Sequence, residues 1–300
     1  MSPLKILVTG GAGFIGSHVA ERLSEENEVH VLDDFSEGSL ENLEGVNVTI
    51  HRGDITDFDL ESIGPIDSIY HLACRKMVYS VEQPIRDLEV NALGTLKLLE
   101  YAREHGTSML YTSTGSVYGN PELFPTPEWA PKNPESPYGV SKWMAEEYCT
   151  LYHKLYGLRV VIARLYSVYG PRQTEIGVIP KFIRQGLTGK PFTIMGKGLQ
   201  RRPFTYVSDT VNGILLALDK GEPGETYNIA GSLHYSIITL CTILHDILHI
   251  PLKGTFIERR TGDLDKVHPS TERIRKLGFK AEIELPEGLR RTLEWIKSGN

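Results

Sequence analysis

Cysteine is scarce in this 300-residue chain: Cys74, Cys149 and Cys241 lie far apart, with no CxxC pair. That excludes a disulfide framework and predicts free thiols in a reducing compartment. No run of 18 apolar residues occurs, which excludes a spanning helix. The apolar run Ile6-Leu7-Val8 stops at glycine, too short for a signal peptide, so the expected location is the cytoplasm. Positive charge is also short: 32 Lys and Arg stand against 38 Asp and Glu, a net charge of −6. A nucleic-acid binder usually carries a basic excess. The expected partners therefore include neither nucleic acid nor membrane, and only one local basic patch would reopen the first. Internal repeats and low-complexity stretches are missing too. What remains, 40% hydrophobic and 23% charged residues, is ordinary globular composition.

The first half alternates two textures. Short apolar or β-branched runs fall at 6–8, 28–32, 46–51, 68–71, 108–112 and 159–164. Helical patterns at 14–25, 87–105 and 138–156 lie between several of them. Strands alternating with helices predict βαβ units, hence an α/β, Rossmann-type, doubly wound parallel sheet. Glycine and proline become frequent from Gly170 to Pro203, and further helices are predicted over 207–218, 237–249 and 286–298. The expected division is a nucleotide-binding domain of 1–165 plus about 204–230. A smaller C-terminal α/β lobe then takes 166–203 and 231–300.

The first strand runs into Gly10-Gly11-Ala12-Gly13-Phe14-Ile15-Gly16, which reads as GxGxxG from Gly11 or GxxGxxG from Gly10. The pattern alone is weak, but here it follows a strand and opens a helix. Glycines let the backbone approach a pyrophosphate, and the helix N-terminus offers free N–H groups and partial positive charge. Asp33 ends the second strand, 17 residues past Gly16, where a carboxylate can accept both adenosine-ribose hydroxyls. It would repel a 2′-phosphate, so NAD is the expected cofactor. Gly53-Asp54-Ile55 follows the third strand and is placed to reach the adenine.

Tyr138 and Lys142 are four apart on a predicted helix and share one face. Thr112, Ser113 and Thr114 close a strand, putting hydroxyls at the sheet edge where ligands of open α/β folds bind. A phenol near pKa 10 is a poor base at neutral pH. Lowering it by about three pH units takes roughly 4 kcal/mol. A lysine ammonium and a positive nicotinamide can together supply that. Tyr138 would then take a proton from a sugar hydroxyl, held by Thr114, as hydride leaves the same carbon.

These motifs resemble the extended short-chain dehydrogenase/reductase family, and within it the NAD-dependent nucleotide-sugar epimerase/dehydratase group. His71-Leu72-Ala73, Asn91-Ala92-Leu93-Gly94-Thr95 and Arg164-Leu165-Tyr166-Ser167-Val168-Tyr169-Gly170-Pro171-Arg172 match family segments. So do Gly196 to Asp209 and Arg260-Thr261-Gly262-Asp263. The resemblance implies catalysis by Tyr138, Lys142 and Thr114. It assigns the cofactor to Gly10, Gly13, Phe14, Ile15, Gly16, Asp33, Asp34, Phe35, Ser36, Gly38, Asp54 and Ile55. Leu72, Ala73, Cys74, Lys76, Asn91, Thr112 and Leu165 complete that set with Tyr138 and Lys142. It assigns a UDP-hexose to Lys76, Thr114, Ser116, Tyr138 and Ser167. Gly177, Val178, Thr193, Met195, Arg202, Arg260 and Asp263 complete this second set. Two arginines suit a diphosphate on chemical grounds as well. The implied reaction is reversible inversion at C4, and the implied assembly is a homodimer through helices 87–105 and 138–156, which otherwise simply cover the sheet.

Departures from the family narrow the reading. Its 4,6-dehydratases carry an Asp-Glu pair just after the catalytic threonine, and its glucuronate decarboxylases a Glu nearby. Here Gly115 and Ser116 stand there. Ser167 replaces an asparagine, Pro203 an aspartate and Cys74 a small residue, while Val267 falls where some 4-epimerases have a bulky tyrosine. His245 and His249, at i and i+4, have the spacing of a zinc pair, but no further ligands accompany them, and no metal is expected.

Overall fold

A computed structural model describes residues 3–174, 176–258 and 266–299. The six apolar runs form β1 (Lys5–Thr9), β2 (Glu28–Asp33), β3 (Thr49–Arg52), β4 (Ser68–His71), β5 (Ser108–Thr114) and β6 (Val160–Leu165). A seventh strand, Thr226–Ile229, joins from the far half of the chain. Across the sheet the order is Thr226–Ile229, β6, β5, β4, β1, β2, β3, and every neighbouring pair is parallel. The order reverses between β1 and β4, which opens a crevice at the C-terminal ends of those strands.

Strand pleating sorts the core into two layers. Ile6, Val8, Val29, Val31, Leu110 and Val161 pack on one side, with helices Phe14–Ser24 and Val207–Lys220. Leu7, Leu32, Met109, Tyr111 and Ile162 face the other, under Gly94–His105 and Pro137–Tyr156. Both faces are covered, which is why these strands are apolar throughout rather than alternating.

The helix expected over 87–105 is broken. Pro84–Leu88 is α-helical, Glu89–Leu93 is a π-helical turn, and Gly94–His105 resumes the α-helix. Asn91 sits in that turn. Its Oδ1 accepts from Arg75 N at 2.8 Å, and its Nδ2 donates to Asp87 Oδ1 at 3.0 Å and Ser141 Oγ at 3.2 Å. The extra residue turns the amide toward these partners. Gly94 packs so closely that a Cβ there would stand 2.8 Å from Ile55 Cγ2.

Outside the main sheet, short strands pair two by two. Val168–Tyr169 pairs with Thr205–Tyr206, Phe192–Met195 with Gly254–Ile257, and Arg201–Arg202 with Tyr235–Ser236. Helix Ile237–Leu248 ends at His249, which caps it in a left-handed conformation with φ 53°. His249 therefore leaves the helix, and the i, i+4 pairing with His245 is lost. Among the described residues, no helix is long and apolar enough to cross a membrane.

Candidate active site

All six strand ends of the first half converge on one cavity of about 490 Å³. Gly10, Gly13, Phe14, Ile15 and Gly16 form its floor after β1. Gly10 adopts φ +68°, and a Cβ on it would stand 2.6 Å from Ala73 N. A Cβ on Gly16 would overlap the Gly10 carbonyl oxygen. The loop thus takes its shape because these side chains are missing. No side chain caps the Phe14 helix at Gly13, so its N-terminal donors are left to the cavity.

Asp33 ends β2 in this wall and is 7% exposed. One oxygen accepts from Ala12 N at 2.9 Å and the other from Phe35 N at 2.8 Å. Burial pushes its carboxyl above the usual range, against those two bonds. Asp34, Ser36 and Gly38 follow on the rim, and Asp54 and Ile55 close the far side. Leu72, Ala73, Cys74 and Lys76 come from the end of β4, Thr112 and Thr114 from β5, and Leu165 from β6.

Tyr138 and Lys142 complete this cavity. Ser136 starts their helix by accepting from Gly139 N at 3.1 Å, with Pro137 in the first turn. Lys142 is 2% exposed, and its Nζ lies 4.3 Å from the centre of the Tyr111 ring. Burial lowers its ammonium. Burial pushes the Tyr138 phenol well above 10, Cys74 adds to the rise, and only the hydrogen bond with Thr114 opposes it. Lys142 alone does not lower the phenol in this geometry. NAD, when bound, would supply the positive nicotinamide on which the expected lowering also depends.

Two further cavities adjoin. One of about 210 Å³ shares Thr114 and Leu165 with the first and adds Gly115, Ser116, Glu135, Ser167, Arg202 and Val267. One of about 310 Å³ shares Ser167 and Arg202 with the second and adds Gly177, Val178, Thr193 and Met195. The three form a continuous groove, with Thr114 at one junction and Arg202 at the other.

Two expected cofactor residues do not line this groove. Asn91 is fully buried, and its amide is committed to Arg75, Asp87 and Ser141. These bonds join the β4 loop to the Tyr138 helix. Phe35 turns away with φ 59°, its ring under the Arg52 guanidinium at 5.0 Å. Arg260 and Asp263 lie outside the described residues.

The structure adds residues that motif reading missed. Glu37 lines the first cavity and accepts from Lys76 Nζ at 2.7 Å. Lys76 also reaches Thr174 Oγ1 at 3.4 Å, so the contact links three loops at the cleft. Arg86 pairs with Asp54. Behind Thr114, Arg164 is clamped by Glu146 at 2.8 and 2.5 Å and donates to Glu128 O at 2.8 Å. Only their pairing across the fold reveals these roles.

Fold and groove together define a dinucleotide-dependent enzyme with a ligand channel beyond the dinucleotide cavity. Comparison with known proteins makes this specific. Residues 6–230 match the model of the NAD dependent epimerase/dehydratase family. The chain is 37% identical over 305 residues to a putative UDP-glucose 4-epimerase of Methanocaldococcus jannaschii, covering 98% of this chain and 99% of that one. It is 33% identical over 301 residues to UDP-glucuronic acid decarboxylase 3 of Arabidopsis thaliana, covering 95% and 87%. A UDP-N-acetylglucosamine 4-epimerase from Methanobrevibacter ruminantium, solved with UDP-N-acetylmuramic acid, superposes with TM-score 0.96 at 33% identity over 100% of both chains. The chain belongs to the NAD-dependent epimerase/dehydratase family, and NAD is its cofactor.

Proposed function

We propose that the chain is a UDP-hexose 4-epimerase that interconverts UDP-glucose and UDP-galactose. The carrying observation is at Gly115. The Tyr166 ring lies where a side chain at 115 would go: a Cβ would stand 2.8 Å from Tyr166 Cδ1 and Cζ and closer still to Cε1. Tyr166 is buried and its hydroxyl donates to Asn228 Oδ1 at 3.0 Å. Ser116 fills the next position and accepts from Thr114 Oγ1 at 3.2 Å. The two positions that hold acids in dehydratases, and a glutamate in decarboxylases, therefore hold none. Elimination of water or of carbon dioxide lacks its extra acid or base, which supports inversion over dehydration or decarboxylation.

NAD, when bound, supplies the hydride acceptor and donor at C4. Thr114 orients the O4 hydroxyl and Tyr138 removes its proton. The resulting 4-keto sugar turns over while Ser167, Arg202 and the wall of Gly177, Val178, Thr193 and Met195 retain the UDP. Tyr138 then returns the proton to O4 of the inverted sugar. Lys142 supports the phenolate, and Cys74 packs at the same wall. The assignment of lobes as 1–165 with 204–230, and 166–203 with 231–300, belongs to this proposal, as does a cytoplasmic setting. Tyr138→Phe tests it: conversion of UDP-galactose should fall by roughly 100-fold or more with NAD still bound. Equal activity would reject Tyr138 as the base.

Val267 lines the middle cavity and supports a second substrate, the N-acetylated UDP-hexose. Undetectable turnover of that sugar nucleotide would reject the broader pocket. We also propose a homodimer. Val140, Met144, Leu151 and Leu155 form an exposed stripe on helix Pro137–Tyr156, and Ile85, Leu88 and Leu93 are exposed beside it. Two such helices from each copy would make a four-helix contact. A monomer mass by sedimentation would reject it.

A further inference from the structure

We propose that Glu135 is a charge filter that makes the sugar pocket select uncharged hexoses over hexuronic acids. The proposal rests on the sugar-nucleotide reading above and deepens it. Glu135 lies just before the cap of the Tyr138 helix and lines the middle cavity with Thr114 and Ser116. Glu135 is solvent-exposed at the rim, where Asn120 Nδ2 donates to its Oε1 at 2.7 Å. The second oxygen keeps acceptor capacity and presents negative charge to whatever fills the cavity.

The charges around the cavity are few. Arg202 and Glu135 are its only ionisable side chains of opposite sign among the described lining residues. Arg202 also lines the neighbouring cavity, where the proposed nucleotide sits, so its charge belongs to the junction. Glu135 lines the middle cavity without lining either neighbour. Lys76 is held by Glu37 in the first cavity, whose described lining also carries Arg75, Arg86 and Lys142. A neutral hexose can offer hydroxyl donors to Glu135. A hexuronic acid brings a second carboxylate beside the first, and like charges at this range weaken binding. Relatives that act on UDP-glucuronic acid share the fold at 33% identity, so the fold does not make this distinction. A side chain in the sugar cavity can.

The test measures binding of UDP, UDP-glucose and UDP-glucuronate to the NAD-loaded enzyme by calorimetry, in wild type and Glu135→Gln. The wild type should hold UDP-glucuronate about two- to fivefold weaker than UDP-glucose, the range for a solvent-exposed charge pair. In Glu135→Gln that ratio should shrink by about the same factor. Raising salt should narrow the gap in wild type and leave it nearly unchanged in the variant. Equal ratios in the two proteins, or a gap insensitive to salt, would overturn the filter while leaving the sugar-nucleotide reading intact. Failure of the wild type to bind UDP itself would overturn that reading, and the filter with it.

Discussion

Filling the space at Gly115 should destabilise the protein and shows how tightly this corner of the site is built. Gly115→Ala adds one methyl group where Tyr166 Cδ1 and Cζ would be 2.8 Å away, well inside van der Waals contact. Tyr166 cannot simply retreat. It is 5% exposed and bonded to Asn228 Oδ1, which Tyr118 also reaches at 3.3 Å. Asn228 in turn donates to Thr126 O and Ser270 O at 3.2 and 3.0 Å. Overpacking of this kind costs about 1–3 kcal/mol, and a strained buried hydrogen bond adds about 1 kcal/mol. The sum, about 2–4 kcal/mol, corresponds to a Tm lower by roughly 4–10 °C. Urea and thermal unfolding measure it directly. Truncating the ring should relieve the clash, so Gly115→Ala combined with Tyr166→Leu should show a favourable coupling of about 1 kcal/mol or more. A single-variant loss below about 0.5 kcal/mol would refute the packing argument and free position 115 to hold an acid.

Ser167 adopts φ 42°, a left-handed conformation that asparagine tolerates better. Ser167→Asn should therefore raise stability by a few tenths to about 1 kcal/mol in thermal unfolding; a loss would mean that the hydroxyl matters more than the backbone. Glu37→Gln removes the 2.7 Å contact with Lys76 at the cleft. NAD retained after gel filtration and quantified by chromatography should dissociate roughly 2–5 times faster, and an unchanged rate would reject a role for the Glu37–Lys76 contact in holding it. Glu146→Gln would leave the buried Arg164 guanidinium short of its carboxylate, with side chains only 2% and 3% exposed. Urea unfolding should register a loss of about 3–5 kcal/mol, and a loss under 1 kcal/mol would show the pair to be dispensable.

Much of this was legible in order along the chain. The glycine loop, the Asp33 carboxylate, the Thr112–Thr114 strand end and the Tyr138/Lys142 spacing are local patterns, and parallel strand ends bring local patterns to one crevice. Less legible was anything that depends on a side chain meeting a distant partner. Asn91 sits in a family segment, but the π-helical turn points its amide at Arg75, Asp87 and Ser141. Phe35 follows Asp33 and Asp34, but its left-handed backbone sends the ring to Arg52. Glu37 and Glu135 look like solvated acids in the sequence, and only the folded loops bring them to the cavity walls. The Tyr138 phenol was expected to be lowered by Lys142 together with a positive nicotinamide, and without the nicotinamide charge burial dominates. Burial raises it, because desolvation acts on every charge in a dry site, including the ammonium meant to help.

The central claim is inversion at C4 without loss of atoms. Purified NAD-loaded protein should be incubated with UDP-galactose and no added reductant, and the product followed by mass spectrometry and NMR. The account predicts UDP-glucose at unchanged mass, approaching an equilibrium mixture from either sugar. A product lighter by one water would contradict it and place the chain with the dehydratases despite Gly115 and Ser116.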